Sequence, residues 1–182
     1  MKTLKHNILT LVLIFTTALF FSCEKETPEI VEEQELITTV SLKFQSEEEP
    51  TQTLRWQLDQ ENVERANLKV NTPYTVTVTF LDESDPGAIE DITQEIKEEA
   101  DVHQVFYEFS GLNITFSSGS GDIKDAQGNP LYLETIWTPT TSGAGSVRVY
   151  LIHEPTSKTS TTRSGFGGET DVAVDFPISI ID

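Results

Sequence analysis

One cysteine, three histidines and twelve lysines and arginines are scattered through a chain of 182 residues, and each scarcity closes off a class of function. A lone Cys23 excludes an intramolecular disulfide and any zinc site built on paired thiolates. Against the 12 basic residues stand 30 aspartates and glutamates, a formal net charge of −18. Nucleic acids and anionic bilayer surfaces are held by lysine and arginine patches, so neither is an expected partner of the protein surface. No G-x-S-x-G elbow occurs, and Ser120 sits in a Gly-Ser-Gly run without a strand-to-helix turn. The run Gly165-Phe166-Gly167-Gly168 has neither the lysine nor the following helix that a phosphate cradle needs. Nucleophilic catalysis therefore finds no support; a carboxylate pair for glycoside hydrolysis is left open, being defined by a ~5–9 Å separation in three dimensions, and the chain reads as a non-enzyme. No internal repeat is evident, and the apolar run over residues 8–21 falls short of the ~20 residues of a comfortable membrane span.

What is present starts with that run. Lys2 and Lys5 precede it, Ser22 and Cys23 follow it, and charge resumes at Glu24, the layout of a secretory signal peptide over residues 1–22. The stretch Leu19-Phe20-Phe21-Ser22-Cys23 resembles a bacterial lipoprotein signal, with Phe21 where a small residue is usual. That resemblance implies lipid on Cys23, a membrane partner through that lipid, and an outer-membrane location on the periplasmic face or the cell surface. Residues 23–35, the cysteine followed by EKETPEIVEEQE, read as a solvated acidic tether reaching ~20 Å as a coil. The acidic flank is similar to the surface-export tag of Bacteroidetes-type lipoproteins.

Residues 36–182 read as one domain. Leu36, Thr38, Val40, Leu42 and Phe44 alternate with polar or smaller neighbours, Leu54, Trp56 and Leu58 do so again, and Tyr74, Val76, Val78 and Phe80 alternate with three threonines; a period of two marks half-buried strands. The lead-in from Leu68 to Tyr74 is similar to the corner entering a late fibronectin type III strand, where a tyrosine bonds backbone. Ile89, Ile92, Ile96 and Ala100 recur at helical spacing behind Asp91 and Gln94, an N-cap pair. Strands resume over 103–110, 112–116, 131–137, 146–153 and 172–180, with Pro177 marking an edge or a bulge. Residues 156–168, rich in Ser, Thr and Gly, read as a mobile loop. The expected fold is mainly β: an antiparallel sandwich, immunoglobulin or fibronectin III-like, of about eight strands with one inserted short helix. Trp56, Val76, Val78, Ile96, Val105, Val149 and Phe176 are its expected core.

The block from Asp91 to Tyr107, with Trp137-Thr-Pro-Thr140, Val147-Arg-Val-Tyr-Leu-Ile-His-Glu-Pro155 and Gly168-Glu-Thr-Asp-Val-Ala-Val-Asp-Phe176, resembles a family of small flavobacterial lipoproteins. They carry the label type 1 periplasmic binding fold superfamily protein. The resemblance implies an envelope lipoprotein working beside a TonB-dependent receptor, and carries no particular site residues with it. The two α/β lobes in that label need alternating strands and helices. This sequence has one helical pattern, so the sandwich is the fold expected.

Two histidines lie beyond the leader, and each has a glutamate at hand. His103 follows Glu99 by four residues, and His153 precedes Glu154. Neutral imidazoles with carboxylates make a shell for Zn²⁺ or another divalent metal; alternatively, a histidine at a helix end simply meets the last carbonyls. Asp122, Asp125 and Asn129 look like half a calcium loop, but lack its spacing and its bidentate glutamate, so a plain turn is the expectation. Two classes of function follow. One is an envelope-anchored binding or accessory module serving nutrient or metal uptake. The other is a structural or adhesive surface lipoprotein without a small ligand.

Overall fold

The computed structural model describes residues 35–60 and 63–182. The leader, Cys23 and the tether as far as residue 34 lie outside the described residues. Within them run nine strands and two short helices: β1 Thr39–Gln45, β2 Gln52–Gln57, β3 Ala66–Lys69, β4 Tyr74–Leu81, α1 Ile92–Glu98, β5 His103–Ser110, β6 Ile114–Ser118, β7 Glu134–Pro139, β8 Gly143–His153, α2 Arg163–Phe166 and β9 Glu169–Ile181. One sheet has the order β2-β1-β4-β7-β6 and the other β3-β9-β8-β5. All neighbours pair antiparallel except β3 and β9, which run parallel.

Alternation builds the two facing layers. In β4, Tyr74, Val76, Val78 and Phe80 are buried while the threonines between them stay half-exposed. Val105 and Tyr107 of β5, Val147, Val149 and Leu151 of β8 and Val174, Phe176, Ile178 and Ile180 of β9 form the opposing face. Trp137 joins the layers: its ring meets Phe44 of its own sheet at 5.6 Å, and Tyr107 and Phe109 of the other at 5.4 and 4.9 Å, all edge-on. Each such pair adds ~0.5–1.5 kcal/mol beyond area burial. Its indole N–H donates to Thr135 Oγ1 at 2.8 Å, so the buried ring leaves no donor unmet. The tyrosine corner is present too: Tyr74 is buried, and its hydroxyl accepts the Lys69 N–H at 2.9 Å.

Helix α1 packs on β4. Its N-cap Asp91 accepts the Thr93 N–H at 3.1 Å. The Thr93 hydroxyl accepts from Phe80 N–H at 2.8 Å and donates to Phe80 C=O at 3.0 Å, riveting the helix to the strand. Ile92, Ile96 and Ala100 are buried beneath it. The reciprocal half of the capping pair is absent, because Gln94 donates forward to Glu98.

Several expectations are corrected. Ile89 lies before the helix, beside the Asp82–Glu90 bridge, and is exposed. The alternation of β1 starts at Val40: Leu36 is exposed, while Ile37 and Thr39 are buried, with the Thr39 hydroxyl on Glu83 at 2.5 Å. Trp56 is only half-buried and Leu58 is exposed, because β2 is an edge strand with no neighbour beyond it. Pro177 sits in an inner strand opposite Ser146, one residue before the β3 pairing begins. There the missing N–H costs the strand at most one ladder hydrogen bond. The loop over 156–168 is pinned, not loose: Phe166 is buried against Phe106 at 5.0 Å, and Lys158 reaches Asp125 and the Ala100 carbonyl.

Candidate metal centre

The two histidines meet across the β5–β8 ladder. They are direct register partners, at the first residue of one strand and the last of the other. Both share the parity of Val105 and Leu151, so they extend the inner face beyond the end of the apolar core. Their rings stack at 4.9 Å and 13°. His103 is 1% exposed and His153 half-buried.

Helix α1 sets the orientation of the first ring. His103 Nδ1 lies 3.2 Å from the Glu99 carbonyl oxygen, just past the helix end. A carbonyl only accepts, so the proton of the neutral ring is on Nδ1 and the lone pair is on Nε2. A backbone carbonyl on the far nitrogen is the arrangement that fixes metal-ligating imidazoles. Burial, opposed by that carbonyl bond and reinforced by His153, pulls the His103 pKa below its ordinary value, which keeps the ring neutral and able to coordinate.

Carboxylates close in from two directions. One is Asp171, which sequence reasoning missed. The β8–β9 register jumps from Leu151↔Val172 to Ile152↔Thr170, leaving Asp171 as the extra residue of a bulge. Bulges re-aim side chains, and here one carboxylate oxygen of Asp171 lies within 4.8 Å of nitrogens on both His103 and His153. The other is Glu35, expected in the solvated tether. Its side chain is 14% exposed and its Oε1 lies 3.8 Å from His103 Nε2. Burial, and after it the charges of Glu95, Asp171 and Glu99, push its carboxyl up to about 7. Glu99 also belongs to this neighbourhood, but its exposed carboxylate approaches the Nδ1 side at 4.0 Å, where the ring proton is already committed.

Of the four residues singled out in the sequence, the fold thus joins His103 and His153, and holds Glu99 at the rim. Glu154 is a correction. It is exposed, with φ at +48°, and its N–H bonds the Val102 carbonyl as the chain turns away. That turn is moulded against Gly168, where an added Cβ would come within 2.2 Å of the His153 carbonyl oxygen. The glycine, at φ +61°, is required there.

The half calcium loop is a turn. Asp125 accepts from Gln127 N–H, Asn129 N–H and the Asn129 amide at 2.8–2.9 Å, and pairs with Lys158 at 3.5 Å. Asp122 accepts the N–H groups of Tyr132, Leu133 and Glu134 and the Ser118 hydroxyl. Both carboxylates are spent on the chain itself. The surface hollow beside Arg148 is lined by Glu108, Phe109, Ser110, Ser146 and Asp175, and its arginine is already paired with Asp175.

No protein-family model, curated protein or solved structure matches this chain.

Proposed function

We propose that this chain is an envelope-anchored lipoprotein whose β-sandwich binds a divalent transition-metal ion, serving as an accessory module to an outer-membrane uptake system. The observation that carries the reading is the stacked His103–His153 pair with Asp171 inside its reach. Two imidazole nitrogens and carboxylate oxygens suit Zn²⁺ and its neighbours in the first transition row, whereas calcium and magnesium favour all-oxygen shells. Ligand atoms around a tetrahedral zinc with bonds of ~2.0–2.2 Å lie ~3.3–3.5 Å apart. A group already within 4.8 Å closes on the ion through small side-chain rotations.

The leader, Cys23 and the acidic tether support anchorage at the outer membrane, and the family resemblance supports a TonB-dependent receptor as partner. Calorimetric titration of the full chain with Zn²⁺ tests the metal reading. One ion should bind per chain, and His103→Ala and His153→Ala should each abolish the heat. A structural or adhesive lipoprotein without a ligand would show no saturable heat in any of the three. Mass spectrometry of the mature N-terminus tests anchorage separately: lipid on Cys23 is expected, and a bare cysteine or a cut elsewhere would refute it.

A further inference from the structure

Glu35 reaches the imidazoles from a segment that belongs to neither sheet. Among the described residues, the first backbone hydrogen bond after it is from Thr38 N–H to the Leu81 carbonyl at 3.0 Å, with Leu36 exposed and Ile37 buried between them. Its Oε1 stands 3.8 Å from the His103 Nε2 lone pair, beyond hydrogen-bond range and close to the spacing of two ligands on one ion. Its Oε2 is buried and finds no hydrogen-bond partner among the described residues. Native proteins rarely leave a buried polar atom unmet without a functional reason. Glu95, Glu99 and Asp171 crowd the same carboxylate with like charge, which works against holding it there.

We propose that the bound metal ion fastens the N-terminal lead-in to the sandwich: held by His103, His153 and Asp171, it takes Glu35 as a further ligand. This rests on the metal reading above and adds a consequence to it. Metal loading then fixes the point at which the chain departs from the domain toward its anchor. Without the ion, the repulsion among four carboxylates opens the lead-in as far as Thr38. An uptake module of this kind reports its load through the attachment of its own tether. Glu99 is excluded from the ligand role because it faces the protonated Nδ1; it acts as a positioning residue through its carbonyl.

Hydrogen exchange of the full chain, read at the Leu36 and Ile37 amides with and without saturating Zn²⁺, tests the fastening. Exchange at both amides should slow at least tenfold on loading. In Glu35→Gln, zinc should still bind through the other three ligands, with affinity lower by about ten- to a hundredfold, as for loss of a supporting group at a metal site, and the slowing should vanish. In Asp171→Asn, affinity should also fall, but the slowing should return once zinc saturates. Equal slowing in Glu35→Gln and wild type, undiminished affinity in that variant, or no slowing in zinc-loaded wild type would each overturn the fastening while leaving zinc binding intact. Absence of calorimetric zinc binding to wild type would instead overturn the metal reading, and the fastening with it.

Discussion

Two clusters of carboxylates in this molecule differ in what surrounds them. Around Asp122 and Asp125, every carboxylate oxygen has a backbone N–H, hydroxyl, amide or ammonium to accept from, and the cluster closes a turn. Around His103 and His153, Asp171 lies within 4.8 Å of nitrogens on both rings, and Glu35 stands 3.8 Å from His103 Nε2. The first cluster is complete as it stands and gains nothing from a cation. In the second, the buried Glu35 Oε2 has no hydrogen-bond partner among the described residues and like charges surround it, a combination that a cation would relieve. Counting acids does not separate the two; the orphaned oxygen of Glu35 does.

The largest expected effect falls on the first cluster. Asp122→Ala removes the acceptor of three backbone N–H groups, at roughly 1–3 kcal/mol for each donor left unmet in a buried site. Partial solvent access trims this to about 3–4 kcal/mol in chemical denaturation, and the loss should be the same with and without Zn²⁺. Metal dependence of that loss would show that the two clusters are not separate. The second cluster should respond the other way. Zinc at 100 times its dissociation constant should stabilise wild type by ~2.7 kcal/mol, read as a raised thermal midpoint. His103→Ala and His153→Ala should show no such gain.

A smaller effect follows from charge at Glu35. Because its folded pKa is raised to about 7, the native state keeps a proton there that the unfolded chain releases above ~4.3. The stability it contributes is complete below that value and is lost as pH rises through about 7. His103, lowered chiefly by burial, works in the opposite sense, since its contribution is complete above ~6.5 and is lost as pH falls. Metal-free Glu35→Gln should therefore match wild type near pH 4 and exceed it in thermal stability at pH 8. Saturating zinc at pH 8 should reverse that order. A variant that is never the more stable of the two without metal would mean that Glu35 is comfortable where it lies. The smallest effect belongs to Glu154→Gln, which should change stability by less than ~0.5 kcal/mol, as at other exposed positions, and zinc affinity not at all.

Much of the architecture was legible because alternation is a local signal. Tyr74 to Phe80 could be read directly, as could the Asp91 cap and the tyrosine corner. The failures share a cause: each depends on something far away in sequence. Trp56 is half-exposed because β2 has no outer neighbour, and the loop over 156–168 is held by Phe106, Asp125 and the end of α1. At the site, residue type drew attention to the histidines, since imidazoles are scarce here and each had a glutamate at hand in the sequence. Their pairing was a matter of strand register, which a one-residue slip would have undone. Glu154 illustrates the limit of adjacency, because neighbours along a strand face opposite ways and the chain turns there. Asp171 depended on a bulge, and Glu35 on the path of a segment outside the sheets; neither leaves a periodic trace.

The most direct measurement is a crystal of the full chain grown with Zn²⁺, with diffraction recorded on both sides of the zinc absorption edge. The account predicts one anomalous peak, ~2.0–2.1 Å from His103 Nε2 and from a His153 nitrogen, with carboxylate oxygens of Asp171 and Glu35 completing the shell at ~2.0–2.2 Å. A peak at the Asp122–Asp125 turn, or none at the histidine pair, would contradict it.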